Sequence, residues 1–186
     1  PFDAVRTANA EHVALATADL AATHAFYTEA MGFELAKAVV AGTPEGGWAK
    51  HVFYDAGDGS LIAFWELHGD YPAAAPGLSR SVGRPDWGNH LAFRAHDGAH
   101  RDAARKRWSE LGLDVFEVDH GFCRSIYTTD TNQTLVEWCL DTRPLDDTDR
   151  AEAVASLANP SPPLEDGPAD ASFHPGDPAK RPAWLS

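Results

Sequence analysis

Apolar positions between residues 11 and 140 follow two alternating periods, and the alternation itself recurs. Glu11–Thr17 (EHVALAT) is apolar and β-branched and predicts a strand. His12, Ala14 and Ala16 share one face of it, and Val13 and Leu15 take the other. Asp19 then caps a predicted helix that runs to about Ala30 and stops at Gly32. Three strand-like runs follow, Phe33–Val40, Trp48–Asp55 and Leu61–Leu67, separated by turns at GTPEGG and AGDGS. The pattern restarts 78 residues after His12, where His90 opens NHLAFRAHDGAHRDAARKRWSELGLDV. Here Asp97 caps the helix and Gly112 follows it. The runs Leu113–Val118, Phe122–Thr129 and Thr134–Leu140 complete the copy, with a turn at DTNQ. His to Asp spans seven residues in both copies, and His to Gly spans 20 in one and 22 in the other. The expected fold is α+β: two tandem βαβββ modules, about 10–67 and 89–140, joined by a linker over 68–88 within a domain of residues 1–140. Two such units must bury each other's sheet faces.

The pattern ends near residue 141. Residues 141–186 hold eight of the thirteen prolines, nine acidic residues and four basic ones. Proline removes a backbone donor and fixes φ, so this acidic, proline-rich tail is expected to be either disordered or an extended arm over a surface. Its exception is a short helix, with Asp147-Thr148-Asp149 as cap and acidic first turn ahead of RAEAVASLA. The tail supplies five of the 13 excess negative charges of the chain. That acidic balance argues against nucleic acid or anionic membranes as partners and leaves a small molecule as the expected one. No run approaches 18 apolar residues, and PFDAVRTANAEH lacks the features of a signal peptide, so the expected compartment is the cytoplasm. Two cysteines, Cys123 and Cys139, are too few for a disulfide framework or a thiolate metal site and are expected as buried thiols.

The repeat singles out two histidines. A lone His at the start of a strand is ordinarily a polar edge residue, but His12 and His90 stand at matching points of both copies. Small alanines beside His12 leave room next to its imidazole. Glu137, in TLVEWCL, sits between Val136 and Trp138, where an unpaired carboxylate is costly to bury. A cation compensates it, as would an arginine or an outward orientation. With His12 and His90 it forms the two-His, one-carboxylate set associated with non-haem Fe(II) and open coordination positions.

The two modules, opening with HVAL…DL…FY…GF and closing with SIY…DxN…LVEW, resemble the vicinal oxygen chelate superfamily over residues 10–140. That group includes glyoxalase I, type I extradiol dioxygenases, fosfomycin resistance proteins and bleomycin-binding proteins. The resemblance implies a curved mixed sheet around a metal-binding cavity, with His12, His90 and Glu137 as ligands. It also implies a homodimer, sometimes with exchanged modules. Glyoxalase I has a fourth ligand, a Glu from the first module, but register against the second module puts Ala63 at that point. Glu66, three residues on, falls on the opposite face by parity. Extradiol enzymes resemble one another in carrying a Tyr ten residues before the ligand Glu and an acid/base His earlier. Tyr127 and His120 match those places. The family's usual D-P-x-G turn is replaced here by Asp130-Thr131-Asn132-Gln133.

The leading expectation is therefore an Fe(II)-dependent dioxygenase cleaving a catechol- or hydroquinone-like ring, with Mn, Ni or Zn as other metals the ligands accept. A glyoxalase-like isomerase or lyase recruiting Glu66, and a metal-free drug-binding protein, are the alternatives. His51 aligns with Ser125 and either lines the cavity or packs. Arg94 and Arg124 are expected as solvated charges, as are His24, His68, His96, His100 and His174. Trp48, Phe53, Phe64 and Trp65 are expected in the core.

Overall fold

The computed structural model describes residues 11–57, 59–73, 76–164, 167 and 170–185. The chain divides into two compact units. Unit 1 is Pro1–His90 with Thr129–Leu135 and Arg181–Ser186, and unit 2 is Leu91–Thr128 with Val136–Lys180.

Unit 1 is built on strands β1 (His12–Thr17), β2 (Glu34–Gly42), β3 (Trp48–Asp55) and β4 (Leu61–His68), in the order β1-β4-β3-β2. The sheet is mixed: β1 runs parallel to β4, with His12 opposite Leu61 and Thr17 opposite Glu66, while β3 is antiparallel to both its neighbours. Helix α1 (Leu20–Ala25) begins at Asp19, whose carboxylate accepts from the Ala22 amide. It continues as a π-helical turn over Phe26–Ala30 and stops before Gly32, at φ 80°. The turn directs Phe26 and Tyr27 onto the sheet, where Tyr27 lies 4.6 Å from the Phe64 ring and stacks on Tyr54. Phe26, Tyr27, Tyr54, Ile62 and Phe64 form the buried core of this unit, and each large side chain removed from water contributes about 1.5–3 kcal/mol. The substituted turn is held by Asp130, which accepts from Tyr27 Oη at 3.1 Å and from the amides of Asn132 and Thr134. Gln133 takes the left-handed conformation there, at φ 59°. Asp130 thus does what Pro and Gly do in the D-P-x-G turn, by hydrogen bonding.

Unit 2 contains α2 (Gly98–Glu110), β6 (Val115–Asp119) and all but one terminal residue each of β5 (His90–Arg94), β7 (Cys123–Thr129) and β8 (Leu135–Asp141). Asp97 caps α2 by accepting from the His100 amide, and Trp108, Val115, Ile126 and Val136 are buried. Helix α3 (Asp147–Ala158) follows, closed by a capping box between Asp146 and Asp149, and it buries no residue. The cap is Asp146, one residue earlier than the sequence suggests.

The α+β class and the two βαβββ modules match expectation, with one refinement. Hydrogen bonding divides the strands into two sheets, and the second, β5-β8-β7-β6-β9, gains a fifth strand from the tail. Strand β9 (Asp170–His174) pairs antiparallel with β6, Val115 opposite His174 and Asp119 opposite Asp170. The tail is thus an extended arm at this point, and no proline falls inside the strand. Residues 181–185 belong to unit 1, where Trp184 meets the Phe26 ring edge-on and donates from Nε1 to Glu29 at 3.1 Å.

Candidate functional site

Strand register sorts the unit 1 candidates onto opposite faces. Val13, Leu15, Val52, Tyr54, Ile62 and Phe64 point toward α1. By alternation His12, His51, Phe53, Ala63 and Trp65 share the other face. There the His12 ring lies 6.3 Å from His51 and 5.7 Å from Phe53. His51 stacks on Trp65 at 3.7 Å and leans on Phe53 at 4.1 Å. Burial, and next the nearby charge of His12, lower the His51 pKa and favour its neutral form. The His12 Nδ1 is engaged by the carboxylate of Glu11. A carboxylate on one ring nitrogen fixes the proton there and leaves the Nε2 lone pair to face a ligand, the arrangement typical of metal-binding histidines.

Glu66 is not on this face. Its carboxylate accepts from His68 Nε2 at 2.8 Å and pairs with Lys50 at 3.0 Å, and these contacts, His68 first, hold its pKa below the usual range. Ala63, at the place of a fourth ligand, is fully buried and offers no polar atom.

His90 opens β5 at the end of a stiff linker. Ser79, itself buried, accepts from the Asn89 amide at 2.6 Å, and its Oγ lies 3.1 Å from the Asp86 carbonyl it donates to. Arg80 grips Asp86 with two 2.6 Å bonds and donates to Gln133. His90 lines an open cleft of about 550 Å³ with Leu78, Ser81, Val82, Gly88 and Asn89. A second cleft of about 360 Å³ lies on the α1 side of sheet 1, between Leu15, Phe64, Leu78 and Thr131, and carries none of the candidate residues.

In unit 2, Glu137 is buried with 4% exposure, and Ser125 Oγ, wholly buried, donates to its Oε1 at 2.5 Å. Tyr127 is a hydrogen-bonding neighbour of both, and burial first, then the Glu137 charge, push its pKa well up, so it keeps its proton. His120 Nε2 lies 3.0 Å from the Tyr127 hydroxyl. His120 is carried by a tight turn in which Asp119 accepts from the Gly121 amide and from Arg124 Nε, each at 2.8 Å. The structure therefore brings His120, Tyr127 and Glu137 onto one sheet. Cys123 and Cys139 are free thiols near Glu137, and burial pushes the Cys139 thiol up to about 12.

Two expectations change. Trp48 is exposed rather than core, because it lies at the strand end and stacks on His68 at 3.7 Å. His68, His100 and His174 are half-buried rather than surface residues, His100 against the Trp138 ring at 4.7 Å and His174 within β9. Arg124 and Arg94 are exposed, as expected, and pair at the surface with Asp119 and Asp141. Ser125, Glu11 and Ser79 are contributors that sequence reasoning passed over. Glu11, adjacent to His12, and Ser125, two residues before Tyr127 on the same strand face, were open to it.

Among the described residues, no group of three or more His, Cys, Asp or Glu side chains stands together as a metal site. The donor chemistry nonetheless fits a divalent ion. It offers two imidazoles, one with its far nitrogen occupied by a carboxylate, and a buried carboxylate held by a hydroxyl. No helix among the described residues is long and apolar enough to cross a membrane.

Comparison with known proteins gives a consistent answer. A glyoxylase/bleomycin resistance protein/dioxygenase domain from Frankia sp. EAN1pec superposes with a TM-score of 0.59 at 18% identity, covering 74% of this chain and 95% of that one. The fosfomycin resistance protein FosX of Listeria monocytogenes gives 0.50 at 23% identity over 73% and 94%. A mutant of FosX complexed with Mn(II) and 1S,2S-dihydroxypropylphosphonic acid gives 0.50 at 24% over 74% and 94%. These likenesses establish a shared fold. No curated protein matches the chain. The profile of one family matches residues 9–141, and with it the βαβββ repeat finds its place: the chain belongs to the Glyoxalase/Bleomycin resistance protein/Dioxygenase superfamily.

Proposed function

We propose that the protein is a metal-dependent dioxygenase that opens a catechol- or hydroquinone-like ring, with His12, His90 and Glu137 as ligands of Fe(II). The observation that carries this reading is the 3.0 Å contact between His120 Nε2 and Tyr127 Oη on the sheet that holds Glu137. A bound divalent metal would supply Lewis acidity toward vicinal oxygens and, as iron, electrons for dioxygen. The chain's own residues handle the protons. Tyr127, kept protonated by burial, donates a hydrogen bond to a substrate oxygen. His120 beside it accepts a hydroxyl proton at an imidazole nitrogen. The Ser125 hydroxyl holds one oxygen of Glu137 and so limits the ways the carboxylate can turn.

Support for three ligands instead of four comes from sheet 1. Ala63 offers no donor, and Glu66 lies on the other face, committed to His68 and Lys50. A three-ligand set leaves coordination positions for two substrate oxygens and dioxygen. The Mn(II) of the FosX complex agrees with a divalent metal in this fold, and manganese is the alternative metal for the same residues.

The test is oxygen uptake by the Fe(II)-reconstituted protein with a panel of catechols and hydroquinones, monitored with the absorbance of the ring-cleaved product. Activity in the wild type that falls about 10²–10⁴-fold in His120→Asn, with iron content retained, is the expected result. Absence of stoichiometric metal after reconstitution, or full metal affinity in Glu137→Ala, overturns the site.

A further inference from the structure

We propose that His51 is a substrate-contacting residue whose Nε2 forms a hydrogen bond to an oxygen of a flat, ring-containing ligand lying over the His12 face of sheet 1. The assignment rests on the reading of the protein as an enzyme for oxygen-bearing rings and names a residue that binds them.

The first observation is an orphan. The His51 side chain is nine-tenths buried, and its Nε2 has no hydrogen-bond partner among the described residues. Buried polar atoms in folded proteins are almost always satisfied, and an exception calls for an explanation such as a ligand. The second observation explains how the orphan arose. His51 and Ser125 occupy equivalent places in the two modules, as do Ala63 and Glu137. In the second module Ser125 donates across to Glu137. In the first, Phe53 and not His51 is directly opposite Ala63, so Ala63 sits diagonal to His51 and presents only a methyl group. The position diagonal to His51 therefore offers its imidazole no oxygen.

The surroundings indicate what the ligand is. His51 is flanked by Trp65 at 3.7 Å and Phe53 at 4.1 Å, and His12 stands 6.3 Å away on the same face. The Lys50–Glu66 ion pair lies on the opposite face of the sheet. One nitrogen framed by aromatic rings suits a planar molecule with a hydroxyl or oxo group at its rim. It suits a sugar or a phosphorylated compound poorly, since each needs several polar contacts. An imidazole nitrogen accepts from a hydroxyl or donates to an oxyanion, so the matching ligand atom is oxygen in either case.

The experiment uses the full chain loaded with Zn(II) and the chromogenic catechol 4-nitrocatechol, titrated by absorbance, with Zn(II) affinity measured separately by calorimetry. Wild type binds the probe. His51→Phe, which keeps the aromatic packing, weakens probe binding about tenfold, the worth of one buried hydrogen bond, and leaves Zn(II) affinity unchanged. His51→Gln recovers part of the loss. Equal probe affinity in His51→Phe overturns the assignment, and so does a parallel fall in Zn(II) affinity, which makes His51 a metal ligand. Should His51→Phe not fold, the imidazole ¹⁵N resonances of the wild type decide. A shift of the His51 Nε2 signal on adding probe supports the contact, and none refutes it. If the loaded wild type binds zinc but not the probe, the ring-substrate reading itself fails, and the His51 assignment with it.

Discussion

Single residues set the protein's chemistry through atoms that the backbone pattern does not show. Ser125 is one case. Its hydroxyl holds one oxygen of the buried Glu137 carboxylate. Removing such a support ordinarily costs 10–100-fold in metal affinity. Ser125→Ala is therefore expected to weaken Mn(II) binding by about tenfold or more in calorimetry, while Ser125→Thr retains most of it. A serine in CRSIY is unremarkable in sequence, and its role became visible only through the 2.5 Å contact to a residue twelve positions on. His12, His90 and Glu137, the proposed ligands, stood out in the sequence for different reasons. Two gained meaning from the repeat and the third from an acid in an apolar run. His120 and Tyr127 were reached through family spacing, and the turn that joins them depends on Asp119 and Gly121, which the spacing does not specify.

Elements were legible where one period governed a whole run. Trp48–Asp55 was read with its true bounds, because alternation and flanking turns agree there. The π-helical turn at Phe26–Ala30 and strand β9 were not. The first depends on how Tyr27 packs against Phe64, and the second is five residues among prolines, too short for a period to appear. Both are tertiary outcomes. The arm's attachment gives a sharp prediction. Gly176 donates from its amide to Asp114 Oδ1 at 2.7 Å, and a Cβ built on it would lie 2.2 Å from the Gly112 carbonyl oxygen. Gly176→Ala cannot relieve a backbone clash by moving a side chain, so the arm must lift. The expected cost is about 1–3 kcal/mol, read as a lower melting temperature and faster hydrogen exchange along β6. The linker offers a second case. Ser79→Ala removes the hub that binds Asn89 and Asp86 just before His90. Weaker metal binding with little change in melting temperature is expected of a loop that positions a ligand, and calorimetry beside a thermal melt checks both.

At the scale of the whole molecule, charge and histidine burial oppose each other as pH falls. The net charge of −13 relaxes toward zero near pH 4.9, which eases self-repulsion. Two histidines work the other way. Burial, and next their neighbouring His, lower the pKa of His51 and of His100, the latter also facing Asp97 and Arg107. Below about pH 6.5 the unfolded chain binds protons that the folded one refuses. Their contribution is fully present above that pH and is lost progressively down to their depressed folded values. Thermal melts from pH 8 to 5 should show stability falling through this window, with a shallower decline in His100→Gln. Strand β9 has a further consequence in the order of synthesis. The β6 edge it seals ends at Asp119, about fifty residues before β9 begins. At about 5–20 residues per second on the ribosome that edge stays open for several seconds. During that interval its unpaired amides and carbonyls are available to any extended peptide, including another nascent copy, so translation speed over residues 120–174 bears on how much chain escapes mispairing.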